Sequence, residues 1–128
     1  MAAIKSFTSI EQSRKLAQIL PLESADMYYH YNTSVVKNYH EDIPKVIQLN
    51  NHFVFFHADI PCWSIAALLS VLPDELEDNY FLSLQKERDE YCCCYEDING
   101  DSFTHIFADN PVDACYEMII HLNELKML

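Results

Sequence analysis

An apolar segment near the middle of the chain most constrains the fold. Residues 61–72 read Pro-Cys-Trp-Ser-Ile-Ala-Ala-Leu-Leu-Ser-Val-Leu and are followed by Pro73. Asp59, two residues before the segment, is the predicted N-cap of a helix. Its only polar residues, Ser64 and Ser70, fall on different faces of a helix that turns about 100° per residue. The pattern therefore predicts a helix over residues 62–72 that is buried nearly all round, either by two layers of the domain or by another chain.

The size and composition of the chain predict a folded protein. The chain has 128 residues, half of them hydrophobic, and a single glycine, which is unlike the composition of a disordered chain. A chain of this length buries roughly two-thirds of the surface that its unfolded form exposes, so one core is sufficient. We therefore expect a single domain spanning residues 1–128.

The net charge restricts the classes of partner. The formal charge is -12, from 20 acidic and 8 basic residues, and the basic residues do not cluster. Such a chain repels a phosphate backbone, so we expect no direct binding to nucleic acid. The same acidity leaves open a surface that imitates nucleic acid for another protein.

The first residues, the apolar runs and the cysteines of the chain bear on its localisation. Residues 1–7 lack the apolar stretch of a secretory signal, and the longest strongly apolar run, residues 65–69, is far shorter than a membrane span. Five cysteines, three of them consecutive, suit reduced thiols better than a disulfide framework. We expect a cytoplasmic protein that does not enter a membrane.

Two further helices are predicted, one near each end of the chain. Over residues 9–20, Thr8 and Glu11 form a predicted capping box at the start of an amphipathic helix. Over residues 110–125, Asn110 is the predicted cap, followed by proline at the first helical position and an acidic residue in the first turn. The predicted core face of this last helix comprises Val112, Cys115, Met118, Ile119, Leu122 and Leu125, flanked by Tyr116, Ile120 and Met127.

The remaining segments predict antiparallel strands. Residues 32–44 are predicted to be a long loop or a hairpin end, and Asn99-Gly100 predicts a type I′ turn between the last two strands. The strands are predicted at residues 25–31, 46–49, 53–56, 80–85, 91–96 and 103–108. The fold class is therefore α+β, with an antiparallel sheet of about five or six strands packed with three helices in the order α-β-β-β-α-β-β-β-α.

Three segments carry a resemblance to a known group of proteins. They are Ser9-Ile-Glu-Gln-Ser-Arg-Lys-Leu with Glu23-Ser-Ala-Asp-Met-Tyr-Tyr, then Pro61-Cys-Trp-Ser-Ile-Ala-Ala-Leu-Leu, then Asn110-Pro-Val-Asp-Ala-Cys-Tyr-Glu-Met-Ile-Ile-His-Leu. Together they resemble a family of small uncharacterised proteins of gut Bacteroidales associated with prophage-like and other mobile elements. The resemblance implies a cytoplasmic protein of a mobile element, and it implies no catalytic or ligand-binding residue.

Candidate chemistry is sparse. Cys92, Cys93 and Cys94 can offer thiolate ligands, but adjacent strand residues point to opposite faces and no CxxC pair exists, so apolar packing explains them better. A metal or thiol site around Cys62, His57 and Asp59 is the alternative, in which a helix N-terminus would lower the thiol pKa. The single glycine excludes a phosphate-binding glycine loop. We therefore predict no catalytic residue, no metal site and no cofactor.

Tyrosines provide the other candidate site. Tyr28, Tyr29 and Tyr31 are close in sequence, and tyrosine serves equally at protein interfaces and in sheet packing. With Tyr116 and Ile120 on the last helix, they form the predicted interaction surface.

Three functions remain open at this stage. The first is a non-catalytic accessory protein that binds another protein or forms a homo-oligomer. The second is an acidic mimic of nucleic acid that inhibits a host DNA-binding protein. The third is an enzyme or a metal-binding protein built around Cys62, His57 and Asp59. The carboxylates of the predicted mimic are Glu75, Glu77, Asp78, Glu87, Asp89, Glu90, Glu96, Asp97 and Asp101.

Overall fold

A computed structural model describes residues 4–30, 43–47 and 59–128. Within these ranges the chain has three α-helices and seven strands, all paired antiparallel, so the predicted α+β class is confirmed. A short 3₁₀ turn at Leu22–Ser24 follows the first helix. In chain order the elements are α1 (Ile10–Ala17), β1 (Met27–Tyr29), β2 (Lys45–Val46), β3 (Ile60–Cys62), α2 (Ile65–Val71), β4 (Glu75–Leu76), β5 (Tyr80–Glu87), β6 (Glu90–Glu96), β7 (Ser102–Ala108) and α3 (Pro111–Glu124).

The described strands form two sheets where the sequence predicted one. The strands before α2 form a three-stranded sheet in the order β2-β1-β3, and those after it form a four-stranded sheet in the order β4-β5-β6-β7. The chain accordingly divides into two compact units, Phe7–Ala67 and Met1–Ser6 with Leu68–Leu128. The boundary falls within α2, and the single domain over residues 1–128 stays a prediction.

The unit Phe7–Ala67 is built from α1 and the short sheet. Helix α1 begins with a capping box in which Ser9 Oγ accepts from the Gln12 amide and Gln12 Oε1 accepts from the Ser9 amide. The predicted box of Thr8 and Glu11 is therefore wrong by one residue, because the Thr8 side chain is used inside the core. Tyr29, Ile60 and Cys62 form a buried cluster of this unit.

Several predicted features of this unit lie partly or wholly outside the described residues. These are most of the loop over residues 32–44, half of the strand over 46–49 and the strand over 53–56. The described part of the second strand is Lys45–Val46, which pairs with Met27 and Tyr28 of β1.

Helix α2 differs from its prediction in both its start and its burial. Residues up to Cys62 belong to β3, and the helix begins only after Ser64, whose Oγ accepts a hydrogen bond from the Ala67 amide. The predicted cap, Asp59, instead bonds to His30. Because a strand takes up part of the apolar run, the helix is short. Its residues Ala66 and Ser70, four apart, are exposed on one side, so the described residues of this chain do not bury the helix nearly all round, and the alternative that another chain covers it stays a prediction.

The unit containing residues 68–128 is a β-meander followed by α3. Strands β5, β6 and β7 confirm the three strands predicted at residues 80–85, 91–96 and 103–108. Helix α3 begins as predicted, with Asn110 Oδ1 accepting from the Asp113 amide and proline at the first position. Its buried stripe contains the predicted core residues except Leu125, which follows the helix and is 47% exposed.

The β6–β7 turn has a different geometry from the predicted type I′ turn. Of its residues, only Gly100 has a positive φ, at 85°. The Asp97 carboxylate accepts hydrogen bonds from the amides of Asn99 and Asp101, each at 2.9 Å, and so fixes the turn from its first position. A bulge follows at the start of β7, where the register shifts opposite Tyr95 and Glu96.

The β5–β6 turn provides a test of backbone strain. Arg88 occupies the first loop position with a φ of 56°, a conformation that costs a non-glycine residue about 1–2 kcal/mol. We expect Arg88→Gly to raise the free energy of unfolding in urea by about 0.5–1 kcal/mol, since glycine adopts this φ freely. The matched control is Asp89→Gly, at a position without a positive φ, which should lower it by a similar amount. An equal fall in the free energy of unfolding for both variants would contradict backbone strain at Arg88.

Candidate functional site

The two faces of the four-stranded sheet have different surroundings. Helix α3 packs over β6 and β7. Cys93 hydrogen-bonds to Cys115 of α3. This bond is the larger cause, and burial the second cause, of the raised pKa of Cys93. Because side chains alternate along a strand, Tyr91 and Tyr95 point to the same α3 side as Cys93. Tyr95 is fully buried there, and its hydroxyl donates to the Pro73 carbonyl at 2.7 Å.

The opposite side of this sheet, which we call the open face, carries large side chains in contact with solvent. Phe81 and Phe107 are each 47% exposed, and Gln85 and His105 are also exposed. The rings of His105 and Phe107 meet nearly edge to face, with centroids 5.5 Å apart. By strand alternation and register the open face comprises Glu75, Phe81, Ser83, Gln85, Glu87, Glu90, Cys92, Cys94, Glu96, Ser102, His105 and Phe107.

Two thiols lie at the centre of the open face beneath longer side chains. Gln85 Nε2 donates to Ser83 Oγ at 2.9 Å within β5 and to Glu96 Oε1 at 3.4 Å on β6, so the second bond joins the two strands. The Cys94 thiol donates to Glu96 Oε1 at 3.0 Å. Burial and this carboxylate raise the pKa of Cys94 to about 12, and burial also raises the pKa of Cys92. Protonated thiols are weak nucleophiles, so these cysteines act here as small packing residues.

The open face has one sign of charge. Four carboxylates belong to it, from Glu75, Glu87, Glu90 and Glu96, and its register positions include no lysine or arginine. Lys86 points to the α3 side, where its ammonium lies 5.8 Å from the centre of the Tyr91 ring. An exposed aromatic surface with an acidic surround therefore lies on one side of the sheet.

A second polar cluster lies inside the unit Phe7–Ala67 and is centred on Thr8. Thr8 Oγ1 accepts from the Trp63 amide at 3.1 Å and lies 2.8 Å from Ser13 Oγ. The Thr8 carbonyl accepts from the Tyr29 hydroxyl at 2.7 Å and from the Cys62 thiol at 3.5 Å. All five residues are buried, and their polar groups satisfy one another, which is the arrangement of a structural core.

The predicted site around Cys62, His57 and Asp59 is not assembled as expected. Cys62 is a fully buried strand residue and does not begin a helix. Burial raises the pKa of its thiol, whereas the prediction needed a lowered pKa. His57 lies outside the described residues, and the Asp59 carboxylate, 1% exposed, lies 2.8 Å from His30 Nδ1. Among the residues that the structure describes, no group of three or more His, Cys, Asp or Glu is placed to hold a metal ion.

The residues of the predicted tyrosine surface are distributed differently from the prediction. Tyr29 is 3% exposed and its hydroxyl is bonded inside the Thr8 cluster, so it cannot contribute to an exposed surface. Tyr28 is half-buried in β1, and Tyr31 lies outside the described residues. Tyr116 and Ile120 are half-buried on α3.

Sequence reasoning missed the open face, although strand alternation contains its signal. Phe81, His105 and Phe107 alternate with half-buried residues along β5 and β7. The sequence pattern predicts these strands but does not show which of their faces a helix covers.

The nine carboxylates of the predicted mimic lie at two ends of the sheet. Six belong to the Gly100 end, formed by the β4–β5 and β6–β7 turns: Glu75, Glu77, Asp78, Glu96, Asp97 and Asp101. Glu87, Asp89 and Glu90 belong to the Arg88 end, together with Arg88 itself and Lys86. Seven strand residues span about 20 Å, so the two groups are well separated.

Comparisons with known proteins give no family. No family of known proteins, no curated protein and no solved structure matches the chain. In the described part of the chain, no helix has the length and apolar character needed to cross a membrane.

The structural role of the Thr8 cluster can be tested by removing one hydroxyl. Thr8→Val keeps the shape of the side chain but leaves the Trp63 amide and the Ser13 hydroxyl without their buried partner. We expect the free energy of unfolding to fall by about 2 kcal/mol or more. Thr8→Ser, which keeps the hydroxyl and loses one methyl group, should cost about 1 kcal/mol. A Thr8→Val protein as stable as the Thr8→Ser protein would contradict this account.

Proposed function

We propose that this protein is a non-catalytic accessory protein that binds another protein through the open face of its four-stranded sheet. The observation that carries the proposal is the exposure of Phe81 and Phe107 on a sheet face that also holds four carboxylates. Aromatic side chains are enriched where proteins bind one another, because they bury a large area at a small cost in conformational entropy.

The charge of the face defines the chemistry of the partner. A face without lysine or arginine attracts a basic surface and repels nucleic acid and other acidic proteins. A second copy of the chain carries the same formal charge of -12, so self-association through this face would bring like charges together. The partner proposed here is therefore a different protein with a basic patch around an apolar centre.

The two alternatives receive less support from the geometry. A mimic of nucleic acid needs a continuous array of negative charge, whereas the carboxylates divide between the Gly100 end and the Arg88 end, where Lys86 and Arg88 offset them. A thiol enzyme at Cys62 needs an accessible thiolate, whereas the side chain is fully buried with a raised pKa. The resemblance to proteins of mobile elements supports the further proposal of a cytoplasmic protein encoded by such an element.

The test replaces the two exposed rings and leaves the core unchanged. We expect the double variant Phe81→Ser/Phe107→Ser to keep its fold, because both rings are about half exposed, and to bind its partner at least about tenfold more weakly. The matched control is Ile98→Ser, which removes an apolar side chain that is 90% exposed in the β6–β7 turn. Circular dichroism checks the fold of each variant.

The partner is identified by photo-crosslinking in cells of the source organism. A photoreactive amino acid is placed at position 81, 107 or 98 in separate proteins. The proposal predicts one protein crosslinked from positions 81 and 107 but not from 98. With the photoreactive residue at position 105, which is exposed on the same face, the crosslink to this protein should form in the otherwise unchanged chain and be lost in the double serine variant. Crosslinking of the same proteins from all three positions, or a partner retained by the double variant, would refute the open face as the binding site.

A further inference from the structure

One edge of the four-stranded sheet is long and carries exposed side chains. Strand β7 has seven residues and pairs with β6 on one side, and no described strand pairs with its other side. The opposite edge is formed by the two residues of β4 and by the part of β5 that β4 does not pair with, which includes Lys86 and Glu87. A strand edge presents backbone N–H and C=O groups that can pair with an added strand. Because charged side chains protect an edge from such pairing, the seven-residue β7 edge is the better place in the described sheet for an added strand.

The sequence of β7 lacks most of the devices that protect sheet edges. Ser102–Ala108 contains no proline, no lysine and no other charged side chain unless His105 is protonated. The one irregularity is the bulge at its start, so the stretch from Thr104 onward stays in regular register with β6. Along this stretch His105 and Phe107 belong to the open face, while Thr104 and Ile106 are half-buried on the α3 side.

Acidic residues flank β7 at both ends. Asp101 precedes the strand at the Gly100 end, and Asp109 follows it at the Arg88 end; both are exposed. The Asp97 carboxylate, bonded to the Asp101 amide, adds a second negative charge at the Gly100 end. A strand lying beside β7 would therefore have a carboxylate near each of its termini, separated by about 25 Å.

We propose that β7 is the docking strand for an extended segment of the partner, with apolar side chains at alternate positions and lysine or arginine near both ends. The inference rests on the proposed function, because the added strand would extend the open face beside Phe107. Backbone pairing with β7 supplies the hydrogen bonds, and the two flanking aspartates select the basic ends.

A second copy of this chain fits the edge poorly. If two β7 strands paired antiparallel about His105, Asp101 of each chain would lie opposite Asp109 of the other. Like charges directly opposite in a strand pair are destabilising, and each chain adds its net charge of -12. Charge complementarity therefore favours a basic segment over self-pairing.

The experiment uses the full chain and synthetic peptides as probes. The first peptide has the sequence Lys-Lys-Val-Thr-Val-Thr-Val-Lys-Lys, and the second replaces its four lysines by glutamate. A third keeps the lysines and carries N-methyl groups on its core amides, which removes backbone donors without changing the charge. Fluorescence anisotropy at low ionic strength measures affinity, and amide shifts in NMR spectra locate the binding site.

We expect the lysine peptide to bind and to shift the amides of β7. The glutamate peptide and the methylated peptide should each bind at least about tenfold more weakly, the one from charge repulsion and the other from lost hydrogen bonds. Asp101→Asn/Asp109→Asn should weaken binding about fivefold. The matched control is Glu117→Gln/Glu124→Gln, which removes the same charge from exposed positions on α3 and should bind the peptide normally.

The following results overturn the inference or, in the last case, the proposed function. Equal binding of the methylated peptide would show charge attraction without strand addition, and shifts confined to other elements would place the site elsewhere. Light scattering that shows a dimer, strengthened by Asp101→Lys because the new lysine would then face Asp109 of the other copy, would replace the basic segment by a second copy. If no peptide binds while the Phe81 and Phe107 crosslinks succeed, only the strand addition fails. If a peptide binds at β7 but those crosslinks fail, the open face fails instead.

Discussion

Helix α3 covers one face of the four-stranded sheet, and the open face on the other side is a consequence of this one-sided burial. The apolar stripe of α3 packs on β6 and β7, so the residues of β6 that face the helix, Cys93 and Tyr95, are fully buried. Alternation then places Cys92 and Cys94 on the other side, among longer polar and aromatic side chains. An antiparallel sheet tolerates one solvated face, but two half-exposed phenylalanines there have an energetic cost that partner binding would relieve.

The two polar clusters in the structure have opposite characters. Around Thr8, hydroxyl, amide, phenol and thiol groups satisfy one another in a buried site, and removal of one member leaves others unpaired. On the open face, Gln85 and Glu96 bond to each other and to small neighbours while they remain at the surface. The first cluster stabilises the fold, and the second leaves a carboxylate-rich surface that a basic partner can neutralise. The raised thiol pKa values in both regions agree with packing roles for Cys62, Cys92 and Cys94.

Local sequence signals predicted the elements of this protein better than their assembly. Asn110-Pro111 and the alternating strands of the meander are local patterns, and the structure confirms the helix start and the three strands. The sequence predicts that Cys62 begins a helix, whereas the structure places it at the end of β3. A short apolar run suits a buried strand as well as a helix, so its sequence does not distinguish the two. Whether strands share one sheet, and which face of β6 meets a helix, depends on contacts distant in sequence. Strand alternation groups the side chains of each face, but only the fold shows that Phe81 and Phe107 remain exposed, whereas Tyr29 of the predicted tyrosine surface is buried.

Native-state hydrogen exchange of the β7 amides tests the free edge most directly. In a strand with a neighbour on one side only, alternate amides bond to that neighbour while those between them face outward. The account predicts that from Thr104 onward slow and fast exchange alternate along β7, with every amide of the central strand β6 protected. Uniform protection of all β7 amides in the isolated monomer would show that this edge is already paired, and it would contradict the proposed docking strand.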